Sequence, residues 1–299
     1  MASKVFMRKR VQDWLWGYLM VLPIVAGTTI FSIIPLIQSF YLSFTKWGAF
    51  GSYSWGGLSN FQRMLTDSNL ALALRNTLVY TVLSVPLSIA ISILVAVLLN
   101  TRIRGVSFYR TLYFLPVVTM PAAVGIVWRW LYNADFGIIN HILRLVGIEG
   151  PRWLTNPSLA IYSLILVSVW SSIGHNMVIL LSGLQGIPSV YYEAAEIDGA
   201  NGYVQFFRIT LPLLSPTLFF VTVTSLISAF QVFELIFLMI GPDSLVIRQT
   251  QSVVFLFYRE AFINMDKGYA SAISLLLFVI IMAVTVIQFG LQKRWVYYE

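Results

Sequence analysis

The sequence predicts an all-α integral membrane protein: six transmembrane helices with a cytoplasmic elbow between spans four and five. Three observations carry that expectation. The 299 residues are 58% hydrophobic and 10% charged, with a mean hydropathy of +0.81, against roughly 25% charge in a soluble domain. The charged residues are separated by six long uncharged runs, and a helix needs about 20 apolar residues to cross the hydrocarbon core. A polar stretch, Glu193 to Pro216, interrupts two of those runs.

The runs lie between Asp13 and Lys46, Arg75 and Arg102, Arg110 and Arg129, Arg152 and Glu193, Arg208 and Glu234, and Lys267 and Lys293. The third is the shortest and contains Pro116 and Pro121, which a helix shielded by neighbours tolerates. The first and fourth exceed one span and must include interfacial or loop turns. The basic start "MASKVFMRKRVQDW" resembles a signal-peptide n-region, but the uncharged run after it is too long and has no A-x-A site, so it reads as a retained first span. With zero cysteines, disulfides and Cys-based metal or nucleophile sites are excluded.

Orientation follows from the basic residues. Of 19 Lys and Arg, ten fall on the N-terminal side: Lys4, Arg8, Lys9, Arg10, Arg102, Arg104, Arg110, Arg208, Lys293 and Arg294. The two totals barely differ, but the ten sit in short segments, and short loops carry the positive-inside signal. Both termini are therefore expected in the cytoplasm, with residues 1–13 and 293–299 flanking a transmembrane domain of residues 14–292. The net charge of +7 does not point to nucleic acid, because the basic residues cluster at the ends of apolar runs and not on one face.

The elbow is expected over residues 189–212. Pro188 and Pro212 bracket it, and proline does not continue a helix interior. Ser189 is placed to cap a short helix whose early Glu193 suits the positive end. Asp198-Gly199 and Asn201-Gly202 tolerate left-handed backbone angles and would end that helix and turn the chain. A second short amphipathic stretch follows, with Tyr203, Phe206, Phe207 and Ile209 apolar. Net acidity on the side expected to be basic, together with small residues that let a partner approach, separates this loop from an ordinary solvated connection.

The residues "EAA", then "DGA", then "FFRITLPLLSP" resemble the EAA signature of ABC importer permeases: E-A-A, a glycine, then I-x-L-P. The stretches "PLIQSFYLSF", "GVSFYRTLYFLPVV", "WRWLYNADFGIIN" and "LLSGLQGIPSVYYEAAEIDGA" are similar to the carbohydrate subfamily, the maltose-type and glycerol-phosphate-type permeases. That resemblance implies a coupling helix seated in a cleft of a cytoplasmic ATPase. Glu193 would be its charged contact, Ala194 and Ala195 its flat packing surface and Gly199 its bend, with Asp198 and Ala200 alongside. Members usually show paired glycines before a proline ahead of the last span, whereas this chain has Ile240-Gly241-Pro242.

Polar groups at span depth should face a protein interior or a wet cavity. Span four carries Ser168, Ser171, Ser172, His175 and Asn176 at steps of 0, 3, 4, 7 and 8, one helix face. Span five carries Ser225, Ser228, Gln231 and Glu234 at steps of three, with Phe230 and Phe233 beside them. Planar polar groups and aromatic rings suit sugars, so His175, Asn176, Phe230, Gln231 and Trp170 are chemically apt. Helix packing alone would also account for the serines. The resemblance implies a substrate path through Ser168, Ser171, Ser172, His175, Phe230, Gln231 and Glu234. His141, with no second ligand close in sequence, reads as structural.

No G-x-x-x-x-G-K-[ST] is present, as expected of a permease that leaves ATP hydrolysis to a partner and carries no cofactor itself. A proton-coupled secondary transporter using Glu234 or His175 is the alternative, disfavoured by six spans without a detectable inverted repeat. An intramembrane enzyme would need H-E-x-x-H or G-x-S-x-G, and neither occurs. The resemblance further implies a bacterial or archaeal cytoplasmic membrane, a second related permease, two cytoplasmic ATPase subunits and an external sugar-binding protein. The substrate it implies is a di- or oligosaccharide.

Overall fold

The computed structural model describes residues 2–47, 51–101 and 104–297, with side chains from Gln12 onward. Of the positions used above, Arg102 and the last two residues of the 293–299 tail lie outside the described residues, as do the side chains of Lys4, Arg8, Lys9 and Arg10. The chain divides into two compact units, residues 1–65 with 260–275, and residues 66–259 with 276–299.

The first unit starts with α1 (Ala2–Thr28), a π-helical turn (Thr29–Ile33) and α2 (Ile34–Leu42). Pro35 explains the widened turn. Its ring would collide with the carbonyl four residues back, and the chain instead makes the longer bond from the Ile34 N–H to the Thr29 carbonyl. The span Gln12–Leu42 is apolar all round, with none of its most hydrophobic stretch buried within the chain, the pattern of a helix whose surroundings are lipid or other subunits. A two-stranded antiparallel hairpin follows, β1 (Thr45–Trp47) on β2 (Tyr53–Trp55), with Thr45 opposite Trp55. Then comes α3 (Ser59–Thr66). The Asn60 amide, on α3, donates to the Ser43 and Thr45 carbonyls at 2.9 and 2.8 Å. Arg63 pairs with Asp266 at 2.7 Å and lies 3.7 Å from the centre of the buried Tyr269 ring.

The second unit is built on α4 (Ser68–Leu99), α5 (Val106–Val118), α6 (Pro121–Leu131), α7 (Ile138–Leu145) and α8 (Ala160–Gln185). After these come α9 (Val190–Ile197), α10 (Gly202–Gln205), a π turn (Phe206–Thr210), α11 (Leu211–Leu213) and α12 (Ser215–Phe230). A further π turn (Ile236–Ile240), α13 (Ile247–Thr250), α14 (Val253–Tyr258) and α15 (Lys267–Trp295) complete the chain, α15 running through both units. The π turn before Pro212 repeats the device seen before Pro35, with the Leu211 N–H bonded to the Phe206 carbonyl.

Among the described residues, four helices are long and apolar enough to cross a membrane, at Gln12–Leu42, Ser68–Leu99, Ala160–Gln185 and Lys267–Trp295. The count rises to six if two bent pairs each count as one span: Val106–Val118 with Pro121–Leu131, bent by 99°, and Gly202–Leu213 with Ser215–Phe230, bent by 67°. The core draws mainly on α4 and α8, through Val85, Ile89, Leu164, Val167, Met177 and Leu180 among others. Gly174 lets α8 meet α5 backbone to backbone, since a Cβ there would stand 2.1 Å from the Tyr113 carbonyl oxygen. Near the start of α4, the Asn76 amide donates to the Arg248 and Gln251 carbonyls at 3.0 and 3.2 Å, and the Thr77 hydroxyl accepts the Val253 N–H at 3.0 Å. Those bonds fix the segment between the last two long helices against α4 and satisfy groups that would otherwise be desolvated without partners.

Candidate functional site: a polar cavity and the helical elbow beside it

Three helices enclose a cavity of about 180 Å³. From α4 come Tyr80, Ser84, Val85 and Ser88; from α8, Ser168, Ser172, His175 and Asn176; from α12, Thr224, Ser225, Ser228 and Ala229. The polar lining is hydroxyls, one amide and one imidazole, with Val85, Ala229 and Val232 as its apolar members and no Lys, Arg, Asp or Glu. Several hydroxyls already donate to their own helix, Ser88 to the Val85 carbonyl at 3.0 Å and Ser172 to the Val169 carbonyl at 2.9 Å, which leaves their lone pairs as acceptors. Asn176 supplies the opposite polarity. It is 3% exposed, and its side-chain NH2 has no partner among the described residues. A buried, unpaired donor costs about 1 to 3 kcal/mol, a cost that a bound hydroxyl would relieve.

The face anticipated on α8 is therefore mostly present: Ser168, Ser172, His175 and Asn176 share one wall. Ser171 is the exception, its hydroxyl buried, without a partner among the described residues and outside this lining. The stripe anticipated on the fifth span is interrupted. α12 ends at Phe230, which is 8% exposed, and Gln231 is its C-cap, so Gln231 and Glu234 do not continue the face of Ser225 and Ser228. Tertiary bonding breaks the helix there. The Ser252 hydroxyl donates to the Val232 carbonyl at 2.5 Å, while the Gln231 and Val232 N–H groups tighten onto Ser228 and Ala229. Phe230, Gln231 and Glu234 do not line the cavity, and Glu234 is exposed. The α4 wall was not anticipated, although Tyr80, Ser84, Ser88 and Ser92 recur every four residues and signal one polar face.

At the far end of α8 the chain makes the elbow. α9 is short, with Glu193 in its first turn, where a carboxylate faces the positive end of the helix dipole. Ser189 stands at the N-cap but is itself helical and makes no side-chain cap bond, contrary to the capping role expected of it. The far end of α9 is fully capped. Asp198 is the C-cap, Gly199 takes φ +76°, and the Gly199 and Ala200 N–H groups donate to the Glu196 and Ala195 carbonyls at 3.0 and 2.9 Å, the Schellman arrangement. Asn201 departs from the left-handed role expected of it. Its backbone is extended, φ −76° and ψ 166°, and its side chain accepts the Val204 N–H at 3.0 Å, so it starts α10. Outward from this turn point Glu193, Ala194 and Ile197, the last 88% exposed, while Ala195 is buried against the protein. Tyr203 and Phe207, with ring centres 4.7 Å apart, extend the exposed apolar surface.

Known proteins resemble the chain along its whole length. Residues 76–297 match the family described as the binding-protein-dependent transport system inner membrane component. The probable ABC transporter permease protein YesP of Bacillus subtilis (strain 168) is 39% identical over 291 residues, covering 96% of this chain and 94% of that protein. The sn-glycerol-3-phosphate transport system permease protein UgpA of Agrobacterium fabrum is 34% identical over 302 residues, covering 100% of both. In fold, the chain matches a subunit of a bacterial ABC transporter involved in the import of the acidic polysaccharide alginate, with TM-score 0.85 at 24% identity over 97% of this chain and 98% of that one. The protein belongs to the binding-protein-dependent inner membrane components, the multi-pass permease subunits of ABC importers.

Proposed function

We propose that this chain forms half of the translocation pore of an ATP-driven sugar importer, with residues 14–292 as its membrane domain and residues 189–212 as the elbow that couples it to a cytoplasmic ATPase. In this reading the two bent helix pairs each make one span, giving six, and residues 1–13 and 293–299 lie in the cytoplasm. The observation that carries it is the juxtaposition on α8. The middle of that helix lines a polar cavity, and its C-terminal end leads into a short, rigidly capped helix with an outward carboxylate and apolar tip. A movement imposed on α9 reaches the cavity wall at Asn176 through the last stretch of continuous helix, from Gln185 back to Asn176, about 14 Å at 1.5 Å per residue.

Glu193, Ala194 and Ile197 would meet the ATPase, with Ala195, Asp198, Gly199 and Ala200 holding the shape of the turn. Asn176, His175, Ser168 and Ser172 would contact sugar hydroxyls. Phe230, Gln231 and Glu234, next to the break in α12, would act on the path just beyond this cavity. A di- or oligosaccharide suits walls of donors and acceptors without fixed charge, and nothing in this lining would clamp a phosphate. The complete importer needs a second related permease, two ATPase subunits and an external sugar-binding protein, with no cofactor bound to this chain.

Reconstitution tests the proposal. The chain with its partner permease and ATPases, in vesicles, should accumulate sugar only with ATP inside and binding protein outside. Sugar uptake by this chain alone, driven by a proton gradient, would instead make it a secondary transporter.

A further inference from the structure

Past the other end of α8 lies a second cavity, of about 370 Å³. Its wall includes Arg129 at the end of α6, Asn133 and Asp135 in the turn that follows, and Arg152 and Trp153 ahead of α8. Both arginines are exposed, and neither guanidinium makes an ion pair or hydrogen bond among the described residues. Asp135 shares the lining, so the cavity keeps an excess positive charge while also offering an acceptor for hydroxyls. The Trp153 ring is fixed, its indole N–H donating to the Asn140 side-chain oxygen at 2.7 Å. From Trp153 a run of aromatic contacts passes to Tyr132 at 5.5 Å, then Trp128 at 5.3 Å, then Trp170 on α8 at 5.4 Å between ring centres. Trp170 is exposed and lies on the face of α8 turned away from Ser168 and Ser172, so the run braces the Trp153 wall against α8.

We propose that this cavity receives an anionic saccharide, its carboxylate or phosphate gripped by Arg129 and Arg152 and a sugar ring set against Trp153. The inference rests on the sugar-importer reading and narrows its substrate class. Guanidinium forks match carboxylate and phosphate oxygens in paired hydrogen bonds, and rigid aromatic planes meet the C–H faces of sugar rings. Recognition is then shared between the two cavities, the outer one reading charge and the uncharged inner one reading hydroxyls. An acidic side chain of the external binding protein would account for the two arginines, but not for the Trp153 ring held in the same wall by Asn140.

The test uses the assembled importer in nanodiscs without binding protein, measuring affinity for digalacturonate and glucose 6-phosphate against their neutral counterparts cellobiose and glucose. At least one anionic sugar should bind tenfold or more tightly than its neutral counterpart at low salt, and 0.5 M salt should shrink the difference. The Arg129→Gln/Arg152→Gln variant should bring the anionic affinity down to the neutral level. Arg129→Lys/Arg152→Lys, which keeps the charge and controls for folding, should retain a clear preference. The inference is overturned if the wild type shows no preference, if the Gln variant keeps it, or if inorganic phosphate binds as tightly as the sugars. It is equally overturned if the Gln variant weakens only the docking of the binding protein. Failure of the importer reading would look different: with both arginines intact, no sugar, neutral or acidic, would stimulate ATP hydrolysis through the binding protein.

Discussion

The elbow, at the C-terminal end of α8, and the polar cavity, along the middle of the same helix, are specified in opposite ways. The caps and turns of the elbow join residues at most five apart, from the Ala200 N–H on the Ala195 carbonyl to the Asn201 cap on Val204, and one longer bond, between the Tyr192 and Thr210 hydroxyls at 3.0 Å, still stays within the elbow. The cavity has no such local code: its walls are drawn from α4, α8 and α12, and its boundary on α12 is set by Ser252, twenty residues past the carbonyl it binds. A locally coded part should break at single residues without disturbing the membrane core, and an assembled part should fail by degrees.

The sharpest break should come from Gly199→Val. A β-branched residue at φ +76° costs on the order of 1 to 3 kcal/mol in backbone strain, enough to unwind a two-turn helix end, and transport should fall more than tenfold. Glu193→Lys should do the same by reversing the charge at the positive end of α9. In both, membrane insertion and thermal unfolding of the purified chain should match the wild type. Normal uptake by both variants would reduce the elbow to a connector.

The assembled region should respond first in stability. Gly174→Ala places a methyl group 2.1 Å from the Tyr113 carbonyl oxygen, and the backbone of α5 must shift to admit it. Overpacking of this kind costs roughly 1 to 3 kcal/mol, to be read as a lowered melting temperature in detergent; an unchanged melting point would show that α5 and α8 are not held at this separation.

Within the cavity, Asn176→Leu should weaken sugar binding by about 1 to 3 kcal/mol while leaving the fold as stable or more so, because it removes an unpaired buried donor. Gln231→Leu makes the informative partner. Uptake lost with binding-protein-stimulated hydrolysis retained would extend the path past the break in α12, whereas equal loss of both would make Gln231 a support for the helices. Smallest of all, Asn201→Ala should cost about 1 kcal/mol of local helix stability. It should slow uptake by less than threefold, since Gly199 still turns the chain.

The same division explains what is legible in the sequence. Charge-free runs mark all the long helices, since length and polarity suffice to define a span, and proline, glycine and aspartate mark the elbow. The 99° bend between Val118 and Pro121 is not visible as a bend, because prolines in a span are equally compatible with a kinked but continuous helix. Ser189 and Asn201 exchange importance for a local reason: Ser189 is already helical, whereas Asn201 has the extended backbone a cap requires. The α8 wall is legible from its periodicity, and the α4 wall carries an equal signal in Tyr80, Ser84 and Ser88. The end of α12 is not legible, because the residue that breaks it lies in another segment. Arg129 and Arg152 read from sequence only as topology markers, being 23 positions apart and joined only by the fold.

The bonds that Asn76 and Thr77 make with residues 248 to 253 have a consequence for biosynthesis. These two side chains leave the ribosome 172 to 176 residues before the groups that will pair with them. At about 5 to 20 residues per second, that is a wait of roughly 10 to 35 s. Through that interval the amide and hydroxyl need substitute company, from water in the translocation channel or from an insertase. The early helices are thus kept in provisional custody until the final third of the chain arrives, and a ribosome stalled before residue 248 should leave α4 exposed to the quality-control proteases of the membrane.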